Sequence, residues 1–247
     1  MLGFPVGLVA GFMGTLLGIG GGAVMVPVLV LLGVPVTVAA PASLVAILGT
    51  SAGGLRRLAR RGLVEWRLAV FLETASGLGA ALGVYLHGLL PELWLRALLA
   101  LALFFSALGM FLESKLGGVK PRPGRERSLA RLAAAWLVSL LAGILSALLG
   151  IGGGILKVPM LVFVVGLPLR SALATSKLMV GVTASVGVVG YTLENRIYWP
   201  LALALVAGTY LGATAATRIL ISAREHLLRL IAGTYYMVTA VLLLARR

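Results

Sequence analysis

The residues of this chain that could do chemistry are few, and they gather around a motif that occurs twice. Leu17-Gly18-Ile19-Gly20-Gly21-Gly22 leads into Val26-Pro27, and Leu149-Gly150-Ile151-Gly152-Gly153-Gly154 leads into Val158-Pro159. Glycine has no Cβ, so backbone can approach a ligand closely and turn its N–H groups onto one point. A helix starting just after the glycines aims the positive end of its dipole into the break, which is a ready anion site. The site residues on this reading are Gly20, Gly21, Gly22, Gly152, Gly153 and Gly154, with Lys157 and Lys177 as counter-charges. Charges inside apolar segments face a cavity or a partner. The equivalents of the two lysines in the first copy are Met25 and Leu44, so one half of the chain supplies the positive charge. Glu73 is the one acid well inside an apolar span. It either takes up a proton and couples it to anion movement, or is a fixed partner for Lys157, Lys177 or an edge arginine. Ser43, Thr50, Thr175, Ser176 and Thr183 offer hydroxyls to oxyanion oxygens, although such side chains in membrane helices often bond their own backbone. The bland readings are close helix packing through the glycines and snorkelling of Lys157 to an interface. Two matching interruptions, one per half, favour the site.

The elements that must position these residues are apolar segments. Pro5 to Leu32 is broken at the first glycine cluster into pieces too short for the ~20 residues of a spanning helix. It is one bent span or a re-entrant hairpin. Gly33-Val34-Pro35 is a turn. Spans follow from Val36 to Gly54, from Trp66 to about Leu86, and from Trp94 to Leu112. The second half runs likewise: Leu132 to Val165 broken at Gly150–Gly154, the turn Gly166-Leu167-Pro168, then Leu169 to Tyr191, Trp199 to about Thr217, and Leu230 to Ala245. The halves align with a single one-residue shift, placing Ser43 on Ser176 and Thr50 on Thr183. The expected fold is thus all-α and membrane-integral, with about eight segments in two four-segment repeats. The repeats are residues 1–112 and 129–247, joined by a basic linker at 113–128. Trp66, Trp94, Trp136 and Trp199 are expected at interfaces.

Composition agrees. The chain has 247 residues, 60% hydrophobic and 11% charged, and no soluble fold of that length hides so much apolar surface. Its net charge of +14 sits in short clusters such as Arg56, Arg57, Arg60, Arg61 and Arg67, the pattern of cytoplasmic loops facing anionic lipid rather than nucleic acid. Cysteine and aspartate are absent and the two histidines lie far apart, so no metal, cofactor or catalytic set is expected, and no enzyme. The first apolar segment carries the glycine motif and is read as structural rather than as a signal peptide. The charge rule divides on topology. Arg218, Arg224 and Arg229 fall inside only if the broken segments are re-entrant and the repeats inverted, whereas Arg196, Arg246 and Arg247 vote the other way. The balance leans to the inverted arrangement.

The paired glycine motifs with their Val-Pro continuations resemble the TauE/SafE sulfite-exporter family (TSUP). So do Ala39-Ala40-Pro41-Ala42-Ser43 and Ala174-Thr175-Ser176-Lys177, each one segment later. The likeness extends from Gly11 to the last span. It implies a multispanning inner-membrane carrier of sulfur-containing anions such as sulfite, thiosulfate, sulfoacetate or sulfolactate. Pro41-Ala42-Ser43 departs from the family's usual Gly-Thr-Ser or Ala-Thr-Ser.

The reading is a carrier working by alternating access, with a small anion and the lipid bilayer as its partners. An anion channel is the first alternative. The second is a membrane scaffold or sensor, for which the basic linker is the only docking candidate. The small-residue faces Gly77, Gly79, Gly83 and Gly208, Gly212 suit packing between repeats or in a homodimer equally.

Overall fold

The computed structural model describes residues 3–16, 20–115, 128–220 and 225–245. Leu17, Gly18 and Ile19 of the first motif, most of the basic linker, Arg224, Arg246 and Arg247 lie outside these. The described residues are helical with no strand: α1 Gly3–Leu16, α2 Gly22–Leu31, α3 Val36–Arg60, α4 Trp66–Leu89, α5 Glu92–Lys115, α6 Leu129–Leu149, α7 Gly154–Pro159, α8 Leu169–Leu193, α9 Trp199–Leu220 and α10 Glu225–Ala245. A π-helical turn, Met160–Val164, continues α7. Among the described residues, five helices are long and apolar enough to cross a membrane: α3, α4, α6, α8 and α9 as far as Thr217. Gly3–Leu16, Gly22–Leu31, Gly154–Val164 and Thr234–Leu243 are shorter apolar helices.

The local sequence explains the joints. Gly20, Gly21, Gly152 and Gly153 all take positive φ, between 66° and 84°. An L side chain is disfavoured there, which is why the breaks are written in glycine. Gly33 and Gly166 take φ of 94° and 85° in the turns after α2 and after the π turn. Pro35 and Pro168 follow as N-caps of α3 and α8, where a fixed φ and a missing N–H cost nothing. The start of α3 is further held by Glu92, whose carboxylate accepts the N–H of Val36 at 2.7 Å and of Thr37 at 3.2 Å while pairing with Arg96. That ties the start of α3 to the start of α5.

The chain reverses direction across the first break. Helix α1 runs parallel to α9: Gly7 abuts Leu205, Gly11 abuts Thr209, and Gly208 and Gly212 receive Phe4 and Leu8. Helix α9 in turn runs parallel to α3, with Thr209 donating to the Ala46 carbonyl at 2.8 Å and Gly53 against Tyr210. So α1 enters from the end where α3 begins and stops midway. Helix α2 starts midway, beside Ile47 of α3, and returns to that same end to feed Val36.

Helix α6 is the counterpart on the opposite side. It runs parallel to α4, Gly79 against Leu140 and Ile144, Gly83 against Ala147 and Leu148. Helix α8 is antiparallel to α3, since Ser51 donates to the Lys177 carbonyl at 3.3 Å while Gly187 meets Leu44. The second hairpin therefore opens toward the other end of the bundle. The small-residue faces resolve with it. Gly79, Gly83, Gly208 and Gly212 all serve packing within the chain, between α4 and α6 and between α9 and α1. A Cβ on Gly77, the fifth residue of these faces, would meet Val186 Cγ2 alone within 4 Å, at 3.8 Å.

The one-residue shift between the halves also has a structural form. Gly154 to Gly166 is one residue longer than Gly22 to Gly33. The extra residue is absorbed by the π turn, where Val165 N–H reaches the Met160 carbonyl at 3.1 Å, five residues back.

Candidate functional site

The two glycine breaks meet. A Cβ on Gly22 would overlap the carbonyl oxygen of Gly150 and lie 3.0 Å from the carbonyl carbon of Ile151, so the backbones touch. Gly20 faces Val180 of α8 and Ile47 of α3. Each hairpin is closed alike: Gly21 sits against the Ala10 carbonyl of α1, and Gly153 against the Ala142 carbonyl of α6. Helices α2 and α7 begin here, capped by Gly21 and Gly153 in left-handed conformation with no side-chain cap. Gly152 shares the left-handed stretch before the cap, and Gly154 is the first, buried residue of α7.

Three charged side chains are buried among the described residues: Glu73, Lys157 and Lys177. Lys157, in the first turn of α7, is fully buried, and its ammonium donates to Glu73 Oε1 of α4 at 2.7 Å. It also donates to Thr183 Oγ1 of α8 at 2.5 Å and to the Met179 carbonyl at 3.2 Å. Thr183 completes the ring by donating to Glu73 Oε2 at 2.7 Å. All three ammonium protons have acceptors and both carboxylate oxygens have donors, the condition under which a buried ion pair is tolerated. Snorkelling of Lys157 is thereby overturned. Of the two readings of Glu73, the structure shows it as the partner of Lys157.

Lys177 is different. It is 4% exposed, on the face of α8 that carries Val180, and its ammonium donates to Thr15 Oγ1 at 2.8 Å at the end of α1. Among the described residues no carboxylate lies within ion-pair distance of it. Lys157 and Lys177 thus flank α8, one toward α4 and α7, the other toward the first hairpin.

The hydroxyls divide. Ser43 shares its proton between the Gly150 carbonyl at 2.7 Å and the Ala40 carbonyl at 2.8 Å, so it holds the second break against α3. Thr175 accepts the Glu65 N–H at 3.0 Å in the α3–α4 loop, which commits it away from the breaks. Thr50 bonds back to the Ala46 carbonyl at 3.2 Å, as such side chains do in helices. Ser176 is fully buried beside Lys177 in sequence.

Sequence reasoning missed two residues. Thr15 is a lone hydroxyl at the end of an apolar run, three residues before Gly18, and that position was its only signal. Ser146 is fully buried on α6 with its Cβ 3.2 Å from where a Gly153 Cβ would sit, and its hydroxyl has no partner among the described residues. An orphaned buried hydroxyl beside a glycine break is a donor waiting for an acceptor. His87 and Tyr191 secure the carbonyls just before the second break: His87 Nδ1–H donates to Leu148 at 2.7 Å, and Tyr191 to Ala147 at 2.9 Å.

Apolar spanning helices, reversing chain breaks and buried ions at the centre define a multi-pass membrane protein of the transporter class. The family model for the sulfite exporter TauE/SafE matches residues 3–243. A probable membrane transporter protein of Xylella fastidiosa is 31% identical, over all of this chain and 92% of its own length. Probable membrane transporter protein YunE of Bacillus subtilis is 27% identical over 83% of each chain. A probable membrane transporter protein of Haemophilus influenzae is 26% identical over 92% of this chain and 87% of its own. No solved structure matches. The chain belongs to the TauE/SafE family of membrane transporters.

Proposed function

We propose that this protein is a secondary carrier, in the export direction, for small sulfur-containing oxyanions such as sulfite, thiosulfate or sulfoacetate. It works by alternating access in the cell inner membrane, with proton coupling through Glu73 as part of the reading. The observation that carries it is Lys177, a buried side chain whose ammonium is held, among the described residues, by the Thr15 hydroxyl, on the helix face that meets the first hairpin where it touches the second. An oxyanion replaces Thr15 as its acceptor, and Ser146 and the N–H groups of Gly21, Gly22 and Gly152–Gly154 receive the remaining oxygens, the Gly20 N–H being held by the Gly14 carbonyl at 3.3 Å. Lys157 enters as the partner of Glu73 rather than as a direct ligand.

The carrier has eight segments in two inverted four-segment repeats, α1–α5 and α6–α10 with a linker between. Three features support this: the two hairpins open to opposite ends, α1 packs on α9 as α6 packs on α4, and α3 crosses α8. The end holding Arg56, Arg60, Arg61, Arg67, Arg131 and Arg170 is cytoplasmic by the positive-inside bias. Relative motion of the repeats opens the touching breaks to one side and then the other.

Reconstitution tests it. Purified protein in liposomes is expected to give saturable uptake of sulfite, thiosulfate or sulfoacetate, with exchange against internal anion. Flux that rises linearly with concentration and shows no exchange makes it a channel instead.

A further inference from the structure

The helices pack in groups that the order of the chain does not give. We infer that two interlocked bundles move against each other during transport, each holding the hairpin of one half of the chain and one helix from the other half. The first bundle is α1, α2, α3 and α9, and the second is α4, α6, α7 and α8. This rests on the carrier reading above and names its moving parts.

Inside each bundle the exchanged helix is joined backbone to backbone. A Cβ on Gly7 or Gly11 of α1 would overlap the carbonyl oxygen of Leu205 or Thr209 of α9, and one on Gly212 would overlap that of Leu8. Thr209 and Thr214 of α9 donate to the Ala46 and Gly53 carbonyls of α3 at 2.8 and 3.3 Å. In the second bundle Gly79 and Gly143 bring α4 and α6 equally close, and Ser76 donates to the Ser139 carbonyl at 3.1 Å. The ring of Lys157, Glu73 and Thr183 ties α4 to α7 and α8. This bundle also has an apolar cluster of its own, in which Leu72 of α4, Ala135 of α6, Leu161 of the π turn and Met179 of α8 pack together. Among the described residues, α1, α2, α3 and α9 contribute nothing to it.

The seam between the bundles is of another kind. Along α3 and α8 it is made by side chains, with Leu44 against Gly187 and Ser51 against Gly181. The Ser51 bond to the Lys177 carbonyl is long, at 3.3 Å. Side-chain contacts re-form in a second arrangement after a small slide, whereas helices locked through glycine must first separate. The two breaks also meet across this seam, joined by the Ser43 bond to the Gly150 carbonyl at 2.7 Å. Motion along the seam is therefore motion at the breaks.

Two connections cross the seam in equivalent ways. Residues 61–65 lead from α3 to α4, and residues 194–198 lead from α8 to α9. Each holds an exposed left-handed residue placed alike before the tryptophan that starts the next helix: Gly62 at φ 66° before Trp66, and Asn195 at φ 55° before Trp199. A Cβ on Gly62 would meet nothing within 4 Å. Helices α3 and α8 are antiparallel, so the two connections lie at opposite ends. A few loop residues free to change φ and ψ are what a hinge requires. The Thr175 hydroxyl on the Glu65 N–H fastens the far side of the first hinge to its own bundle at 3.0 Å.

The natural chain has no cysteine, so engineered pairs can be joined one at a time by oxidation. Gly3→Cys with Ala204→Cys joins α1 to α9, with Cβ positions 3.0 Å apart. Val84→Cys with Gly190→Cys joins α4 to α8, at 3.4 Å, and Ser51→Cys with Gly181→Cys joins α3 to α8 across the seam, at 2.9 Å. A shift of about 1 Å or less brings each pair to disulfide geometry. Uptake into liposomes by the full-length protein is measured before and after oxidation, with whichever of sulfite, thiosulfate and sulfoacetate the parent carries best. The first two cross-links join the two halves of the chain but lie within a bundle, and are expected to leave uptake within about twofold. The third is expected to cut it at least about tenfold, with recovery on reduction. Block by either of the first two overturns the inference, because the halves then move whole. Full uptake with the third pair closed overturns it as well. A cysteine-free parent with no saturable uptake of any of the three anions overturns the carrier reading instead. Where a pair stays reduced, spin labels on exposed positions of the same helices decide: Val9 with Leu203, Leu82 with Val189, and Ala52 with Val182. The first two distances are expected to stay fixed when the anion is added and the third to change; any other pattern overturns the inference.

Discussion

Lys157 and Glu73 stand 84 residues apart in sequence and meet in the interior with an Nζ–Oε1 distance of 2.7 Å. Thr183 bonds both, so three helices, α4, α7 and α8, are pinned at one point. The pair fixes the second hairpin to the bundle.

Removing one member strands the other. Lys157→Met is expected to destabilise the protein by about 3–5 kcal/mol, because an uncompensated carboxylate is left buried. Lys157→Met with Glu73→Gln is expected to recover most of that loss. Thermal melting in detergent of the wild type, both single variants and the double variant reads the coupling directly. Additive losses contradict the pair.

Gly22→Ala separates two physical effects. Gly22 is helical, so alanine there gains about 1 kcal/mol by propensity alone. Its Cβ would overlap the Gly150 carbonyl, and the overpacking costs about 1–3 kcal/mol and pushes the breaks apart. Lower melting with lost transport is the expected outcome. A stabilised, active variant would show that the breaks do not touch.

Ser43→Ala leaves the buried Gly150 carbonyl without its 2.7 Å donor. The expected cost is about 1–3 kcal/mol, the penalty for an unsatisfied buried acceptor. Melting compared with Thr50→Ala, whose hydroxyl only bonds its own helix, isolates the contribution of the inter-helix bond.

The absence of cysteine from the natural sequence makes topology directly measurable. Pro35→Cys and Pro168→Cys sit at equivalent exposed N-caps of α3 and α8. They are expected to react with a membrane-impermeant thiol reagent from opposite sides, Pro168→Cys from the same side as Arg61→Cys. Labelling of both proline positions from one side would mean the hairpins are not inverted.

Much of this was written in the sequence, and the physics says which part. The breaks were legible because glycine and proline are expensive in apolar helices and therefore conspicuous at Gly20–Gly22 and Gly152–Gly154. The burial of Lys157, Lys177 and Glu73 was legible for the same reason: charge in an apolar run needs an explanation. What was hidden were long-range matters. Nothing in one sequence tells whether Glu73 meets Lys157 or Lys177, since helices far apart in the chain choose their neighbours through packing. Thr175 shows the same limit, drawn to the Glu65 N–H by the α3–α4 loop rather than to the breaks. The small-residue faces were visible at Gly79 and Gly212, but their partners α6 and α1 were not. The π turn at Met160–Val164 was present only as a one-residue misfit between the halves.

The most direct test of the account is sulfite and isethionate uptake into liposomes by the wild type, Lys177→Met and Thr15→Val. Lys177→Met is expected to abolish saturable uptake while retaining the Lys157–Glu73 pair and a near wild-type melting temperature. Thr15→Val, which removes only the hydroxyl that holds the lysine in the absence of anion, is expected to retain uptake. Undiminished saturable transport by a folded Lys177→Met protein would contradict the central claim that this ammonium receives the anion.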